Sequence, residues 1–393
     1  MRHLRRYVSN RALSVAALCA LVGSTALSSV AIPAQAQTPE NGVFLAGIHH
    51  HTQLTSTVPA NGDQNPYAII VAPVSAGKIQ KDDVLIDNFN DLRNLQGLGT
   101  TIVDYNPTTK AISLFASVPR HLESCPGGVG MSTAMAMLKT GWIIVGSAPS
   151  EDGTTKTLGA GCLMVFDAQG HLAASWSGPN IAAPWGNVAL VDHGSTASLF
   201  VSMSGYDVPG PDVVNPDTKI PVIINKARVV RFDLSIPEGK PPVIAKQTVI
   251  ADGLSERSDK DVFLIGPTGL ALAPDDTLYV SDALRDRVIA IPGASTRTTS
   301  AGLGTEAFKG GQLSRPLAMT LLPNGHLLIC NATNGKVVEV DPVNHKQVAA
   351  QWADTDQAQS PPGNGDLFGI ALTPDAKGFY YVEDDLNTVV EAH

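Results

Sequence analysis

One phrase recurs three times in the C-terminal third of the chain: GPTGLALAPDDTLYVSD (266–282), RPLAMTLLPNGHLLICN (315–331) and DLFGIALTPDAKGFYYVE (366–383). Each copy is an apolar strand, a turn carrying Pro-Asp or Pro-Asn, a second apolar strand and a closing acidic or amide residue. A repeat near 50 residues demands units that bury their faces against one another. A third strand follows each copy (Val288 to Ile291, Val337 to Val340, Val389 to Ala392), and once a fourth (Gln347 to Trp352). Four short antiparallel strands per unit predict a propeller blade.

The same template finds three more divergent blades upstream. Their strands fall at Pro66 to Val71, Val84 to Ile86, Thr101 to Tyr105 and Ala111 to Phe115; at Thr133 to Leu138, Trp142 to Val145, Cys162 to Asp167 and His171 to Trp176; and at Asn187 to Val191, Ser198 to Met203, Ala227 to Leu234 and Val243 to Ile250. The third blade carries a Pro-rich insertion, Val208 to Pro221. Helical periodicity is absent. The expectation is an all-β, six-bladed propeller with blades at about 65–119, 127–177, 181–257, 266–300, 314–352 and 365–392. The sixth copy stops at His393 after three strands, which leaves an open edge, and Gly42 to Ile48 is expected to supply the missing fourth strand.

Residues 1–36 read as a secretory signal, with Arg2, Arg5, Arg6 and Arg11 ahead of an apolar run from Ala12 to Ile32, and Ala34-Gln-Ala36 as the cleavage site. An exported, periplasmic or extracellular chain with no membrane span after cleavage follows, residues 37–393 forming one domain. That mature chain has 23 Lys and Arg against 36 Asp and Glu, a formal charge of −13, so nucleic acid and anionic lipid surfaces are poor partners. A monomer is expected. Cys125, Cys162 and Cys330 remain; the first two share a blade and a face and are the candidate disulfide, the alternative being three small buried apolar residues.

Aligning the copies brings two slots to one face around the central channel. The residue that begins each innermost strand is Tyr67, Thr133, Trp185, Thr268, Leu317 or Phe368. The rings of Tyr67, Trp185 and Phe368 offer a stacking platform, with Thr133 and Thr268 as hydrogen-bonding partners, for a small molecule, glycan or protein; the other reading is a packed plug. The second slot, at the end of each second strand, holds Asn88, Ser147, Met203, Asp282, Asn331 and Glu383. Asp282, Glu383, Asn88 and Asn331 supply oxygen ligands of the kind Ca²⁺ or another divalent cation takes. Turn capping is the competing role for each of them. His49-His50-His51 is expected at this same face, and His171, His193, His326 and His345 at the opposite one.

The strand, Pro-Asp/Asn, Leu-Tyr-Val-x-Asp and Arg-Val pattern over residues 266–392 resembles the NHL-repeat and SMP-30 (gluconolactonase)-like six-bladed propellers. That resemblance implies a divalent-metal-dependent hydrolase or lactonase in which Asp282 acts as metal ligand or base, with Glu383 a second candidate catalytic carboxylate. Thr268 and Leu317 stand where those hydrolases carry asparagine. The primary expectation is therefore a non-catalytic, exported binding propeller, with the metal-dependent hydrolase as the alternative.

Overall fold

A computed structural model describes residues 42–393, and of Thr133 the backbone only. The expected signal at 1–36 lies outside the described residues. Six antiparallel sheets follow one another along the chain. The chain's first strand, β1 (His51–Ser56), belongs to the last of them. Blade one is β2 (Gln64–Val71), β3 (Val84–Asn90), β4 (Thr101–Asn106) and β5 (Ala111–Ser117). Blade two is β6 (Met131–Met137), β7 (Ile143–Ser147), β8 (Cys162–Phe166) and β9 (Leu172–Trp176). Blade three is β10 (Ala189–Asp192), β11 (Thr196–Met203), β12 (Ile224–Ser235) and β13 (Val243–Ser258), extended by a short β14 (Leu264–Ile265). Blade four is β15 (Pro267–Leu272), β16 (Leu278–Asp282), β17 (Arg287–Ile291) and β18 (Thr305–Lys309). Blade five is β19 (Pro316–Leu321), β20 (Leu327–Asn331), β21 (Lys336–Asp341) and β22 (Lys346–Trp352). Blade six is β23 (Leu367–Leu372), β24 (Phe379–Glu383) and β25 (Thr388–Ala392), completed by β1. The innermost strand β2 lies beside both β6 and β23, which closes the ring.

Glycine sets how near the innermost strands come. A Cβ on Gly186 would lie 1.4 Å from the carbonyl oxygen of Thr268, one on Gly269 2.3 Å from that of Leu317, and one on Gly369 2.4 Å from that of Tyr67. Only a residue without a side chain permits such an approach. Serine hydroxyls then bridge blade to blade. Ser202 Oγ accepts from the Gly186 N–H (3.1 Å) and donates to the Thr268 carbonyl (3.3 Å), and Ser281 Oγ accepts from Gly269 (2.6 Å) and donates to Leu317 (2.8 Å).

Closure by an N-terminal strand is observed, but the segment differs from the one expected. His51–Ser56 pairs with β25, from His51 opposite Ala392 to Ser56 opposite Thr388. Gly42 to Ile48 instead forms an arm with a 3₁₀ turn at Leu45–Gly47, its Phe44, Leu45 and Ile48 buried. The fully buried Glu339 holds this arm, taking the Phe44 N–H on Oε1 (3.1 Å) and the Leu45 N–H on Oε2 (2.9 Å) while His326 Nδ1 lies 2.7 Å from Oε1. Glu339→Ala strands two buried N–H groups and opens a hole, so a loss of about 2–4 kcal/mol is expected in denaturant unfolding. An arm resistant to protease in that variant would contradict the assigned contact.

His49, His50 and His51 sit at the far end of blade six, where the N–H groups of His49 and His50 bond the His393 carbonyl (2.9 and 2.8 Å), and not at the channel-mouth face expected for them. Blade four gains a fourth strand, Thr305–Lys309, beyond the expected limit at residue 300. Cys125 and Cys162 are joined by a disulfide, and Cys330 is a buried free thiol. Among the described residues no helix is long and apolar enough to cross a membrane.

Candidate functional site

Strand register brings the two aligned slots together. Pro66 pairs with Asn88, Met131 with Ser147, Pro184 with Met203, Pro267 with Asp282, Pro316 with Asn331 and Leu367 with Glu383. The start of every innermost strand thus faces the end of its neighbour on one face, the channel mouth.

At that mouth the rings pack against one another. Tyr67 stacks on Phe368 (4.1 Å between centroids) and Phe89 (4.6 Å), and meets Trp185 edge-on at 5.6 Å. Phe263 closes the cluster, 5.3 Å from Phe89 and 5.9 Å from Trp185. Tyr67, Trp185, Thr268, Leu317 and Phe368 are all at most 4% exposed. The cavity left between them measures about 10 Å³, the scale of one water. Of the two readings open from sequence, the packed plug describes these rings. Thr268 Oγ1 is spent on the Gly266 carbonyl (3.0 Å), and burial pushes the Tyr67 hydroxyl well above its ordinary pKa.

Phe263 lies in no blade strand, so no aligned slot points to it. The chain leaves β13, turns at Asp259 and carries Val262, Phe263 and Leu264 into the mouth before β15 begins. Arg257 (2.9 Å) and Arg315 (3.7 Å) hold Asp259, while Gln96 of blade one donates to the Asp261 carbonyl (2.7 Å). An apolar run, Val262 to Ile265, just past the expected limit of blade three at residue 257 was the available signal.

Each carboxylate and amide of the second slot is drawn into local contacts. Asp282 Oδ2 receives Arg287 Nε at 2.8 Å and lies 3.8 Å from Arg285 Nε, while its Oδ1 is buried without a donor. Burial still raises its pKa against the pull of both arginines. Asn331 takes the Ser314 N–H (3.0 Å) and donates to Gln312 O (2.8 Å) and Asn334 Oδ1 (3.0 Å), the pattern of a turn cap. Asn88 Nδ2 bonds the Thr57 carbonyl at 3.0 Å. Glu383 accepts from Thr388 Oγ1 (3.2 Å), and burial, then Asp354 and Asp385, push its pKa up to about 7. Among the described residues no three His, Cys, Asp or Glu side chains are grouped to hold a metal, and Arg287 on Asp282 and the Ser314 N–H on Asn331 occupy oxygens that a cation would need.

Below the plug, Asn187 crosses the channel, donating to the carbonyls of Leu270 (3.2 Å) and Met319 (2.9 Å) and accepting from the Met319 N–H (3.2 Å). The channel then widens into a cavity of about 370 Å³ toward the far face, lined by the innermost strands.

No family model and no curated protein matches the chain. Solved structures do. A gluconolactonase of Xanthomonas campestris aligns at 12% identity over 87% of this chain and 88% of its own, TM-score 0.50. A putative gluconolactonase aligns at 13% over 88% and 92%, TM-score 0.51. A luciferin-regenerating enzyme aligns at 11% over 87% and 94%, TM-score 0.52. The chain has the six-bladed propeller fold of the gluconolactonase-like proteins, and at these identities the likeness is one of fold.

Proposed function

We propose that this protein is an exported, non-catalytic propeller that binds a protein partner across its channel-mouth face. The observation that carries the reading is the closed mouth: there the packed rings leave about 10 Å³, where a site for a lactone-sized substrate needs roughly 300 Å³ or more, and the cavity of about 370 Å³ beyond Asn187 is lined by no acid or histidine that could do hydrolytic chemistry. The carboxylate that a hydrolase of this shape would use, Asp282, is neutralised by Arg287. Recognition then falls to the rim, where the insertion of blade three exposes Val213, Val214 and Ile220, and the chain just after it Ile223, on a rigid scaffold.

A hydrolase panel tests this directly. The chain 37–393, assayed on lactones and phosphotriesters with Ca²⁺, Mn²⁺ or Zn²⁺ added, is expected to show no metal-dependent turnover. Turnover that disappears in Asp282→Ala would overturn the reading in favour of the metal-dependent hydrolase.

A further inference from the structure

One residue inward from the channel mouth, the second strands hold a ring of buried positions. Counting back from Asn88, Ser147, Met203, Asp282, Asn331 and Glu383, these are Asp87, Gly146, Ser202, Ser281, Cys330 and Val382. Ser202 and Ser281 join two blades in one pattern. The hydroxyl takes the N–H of Gly186 or Gly269 in its own blade and gives its proton to the Thr268 or Leu317 carbonyl of the next. Gly146 has no side chain, and Ser132 of the same blade reaches across instead, donating to the Pro184 carbonyl at 2.6 Å.

Asp87 makes the first half of this pattern. Its Oδ1 takes the N–H of Ala68 at 2.8 Å, and Ala68 in Pro66-Tyr67-Ala68 stands where glycine stands in Pro184-Trp185-Gly186 and Pro267-Thr268-Gly269. Its Oδ2 meets no donor, although the residue is fully buried. A carboxylate can only accept, so a second bond of the serine kind needs a proton on Oδ2. Leaving a lone carboxylate charged away from water costs more than protonating it. The residue type fits the seam as well. A Cβ on Gly186 or Gly269 would collide with the carbonyl of the next blade, and Ala68 has that Cβ, so β6 must stand farther from β2. Aspartate, one bond longer than serine, spans the wider gap.

We propose that Asp87 is a neutral carboxylic acid that joins blade one to blade two, its Oδ2–H donating to a carbonyl at the start of β6, and that loss of this proton opens the seam. Hydroxide takes the proton and becomes water, which leaves carboxylate and carbonyl as two acceptors facing each other. The strands packed on β3 bring Tyr67 (β2) and Asp104 and Tyr105 (β4) as their titratable side chains, and β6 brings none. Burial raises the Asp87 pKa, and the Ala68 N–H opposes it. Because β2 carries Tyr67, the seam that loosens is the one that seats the ring cluster. The joint lies beneath the partner face, and its test reads no binding, so either reading can fail alone.

The test is infrared spectroscopy of the 37–393 chain and its Asp87→Asn variant, with thermal unfolding and hydrogen exchange at pH 7 and pH 9. The parent-minus-variant spectrum at pH 7 should contain the C=O band of a protonated acid, shifted when aspartate is isotope-labelled. Asp87→Asn accepts and donates without a titrating proton, so it should melt at or above the parent temperature at pH 7 and lose less than the parent on going to pH 9. Asp87→Ala drops both bonds and leaves a hole, so it should melt below Asp87→Asn at both pH values. Exchange at pH 9 should be faster in the β2 and β6 peptides of the parent than in those of Asp87→Asn. A carboxylate band in place of the acid band at pH 7, or an Asp87→Asn that melts as low as Asp87→Ala, overturns the neutral acid. Equal exchange in β2 and β6 of parent and Asp87→Asn at pH 9 overturns the opening of the seam.

Discussion

Phe263→Ala is expected to destabilise the protein by about 3–5 kcal/mol, the ordinary cost of emptying an aromatic site in a packed core. The ring is 1% exposed and contacts both Phe89 and Trp185, so nothing nearby can collapse into the hole without unstacking Tyr67 and Phe368. Chemical denaturation should show a lower midpoint with an unchanged slope. A loss under about 1 kcal/mol would mean that the linker after β13 does not seal the mouth, and the case for a closed mouth would fall with it.

Stability is expected to peak near pH 5 and to decline toward pH 9 in the absence of metal. Burial raises Asp104, Glu383 and Asp384 to about 7 and Glu256 and Asp366 to about 8, and it carries Asp87 well above its ordinary value. An acid whose folded pKa is raised binds more protons folded than unfolded. Its contribution is complete below the unfolded value near 4 and is lost as pH climbs through the folded value. Glu256, fully buried, is one of the groups whose contribution is lost over that window. Carboxylates that hydrogen bonding holds below their ordinary range, Asp91, Asp152 and Asp375 among them, reverse the trend below about pH 4. Thermal unfolding from pH 4 to 9 checks the curve, and a flat profile or a maximum at pH 8 would show that these groups are not buried as acids. Glu256→Gln should flatten the decline.

The closing strand shows why part of the fold was not legible in advance. Gly42 to Ile48 is apolar, the pattern expected of a pairing strand, whereas His51–Ser56, reading HTQLTS, is polar. An outermost propeller strand has one solvated face and one open edge, so it needs no apolar run, whereas Phe44, Leu45 and Ile48 serve an arm that must be buried to stay attached. Asp282 shows the same limit at the candidate site. Its place at the mouth followed from aligning the copies, but its partner Arg287 lies directly across the β16–β17 register, and only pairing brings that guanidinium to 2.8 Å.

Sequence alone determined the blade count, the two slots and the face on which they meet, because a pleat of period two and a repeat near 50 residues are written in the order of side chains. Tertiary structure decided what those slots do. Whether a ring faces a ligand or another ring, and whether a carboxylate meets an arginine, a proton or a cation, depends on contacts between blades far apart in the chain. Phe263 reaching Phe89 and Asp354 meeting Asp366 are contacts of that kind, set by closing the ring and by no local pattern.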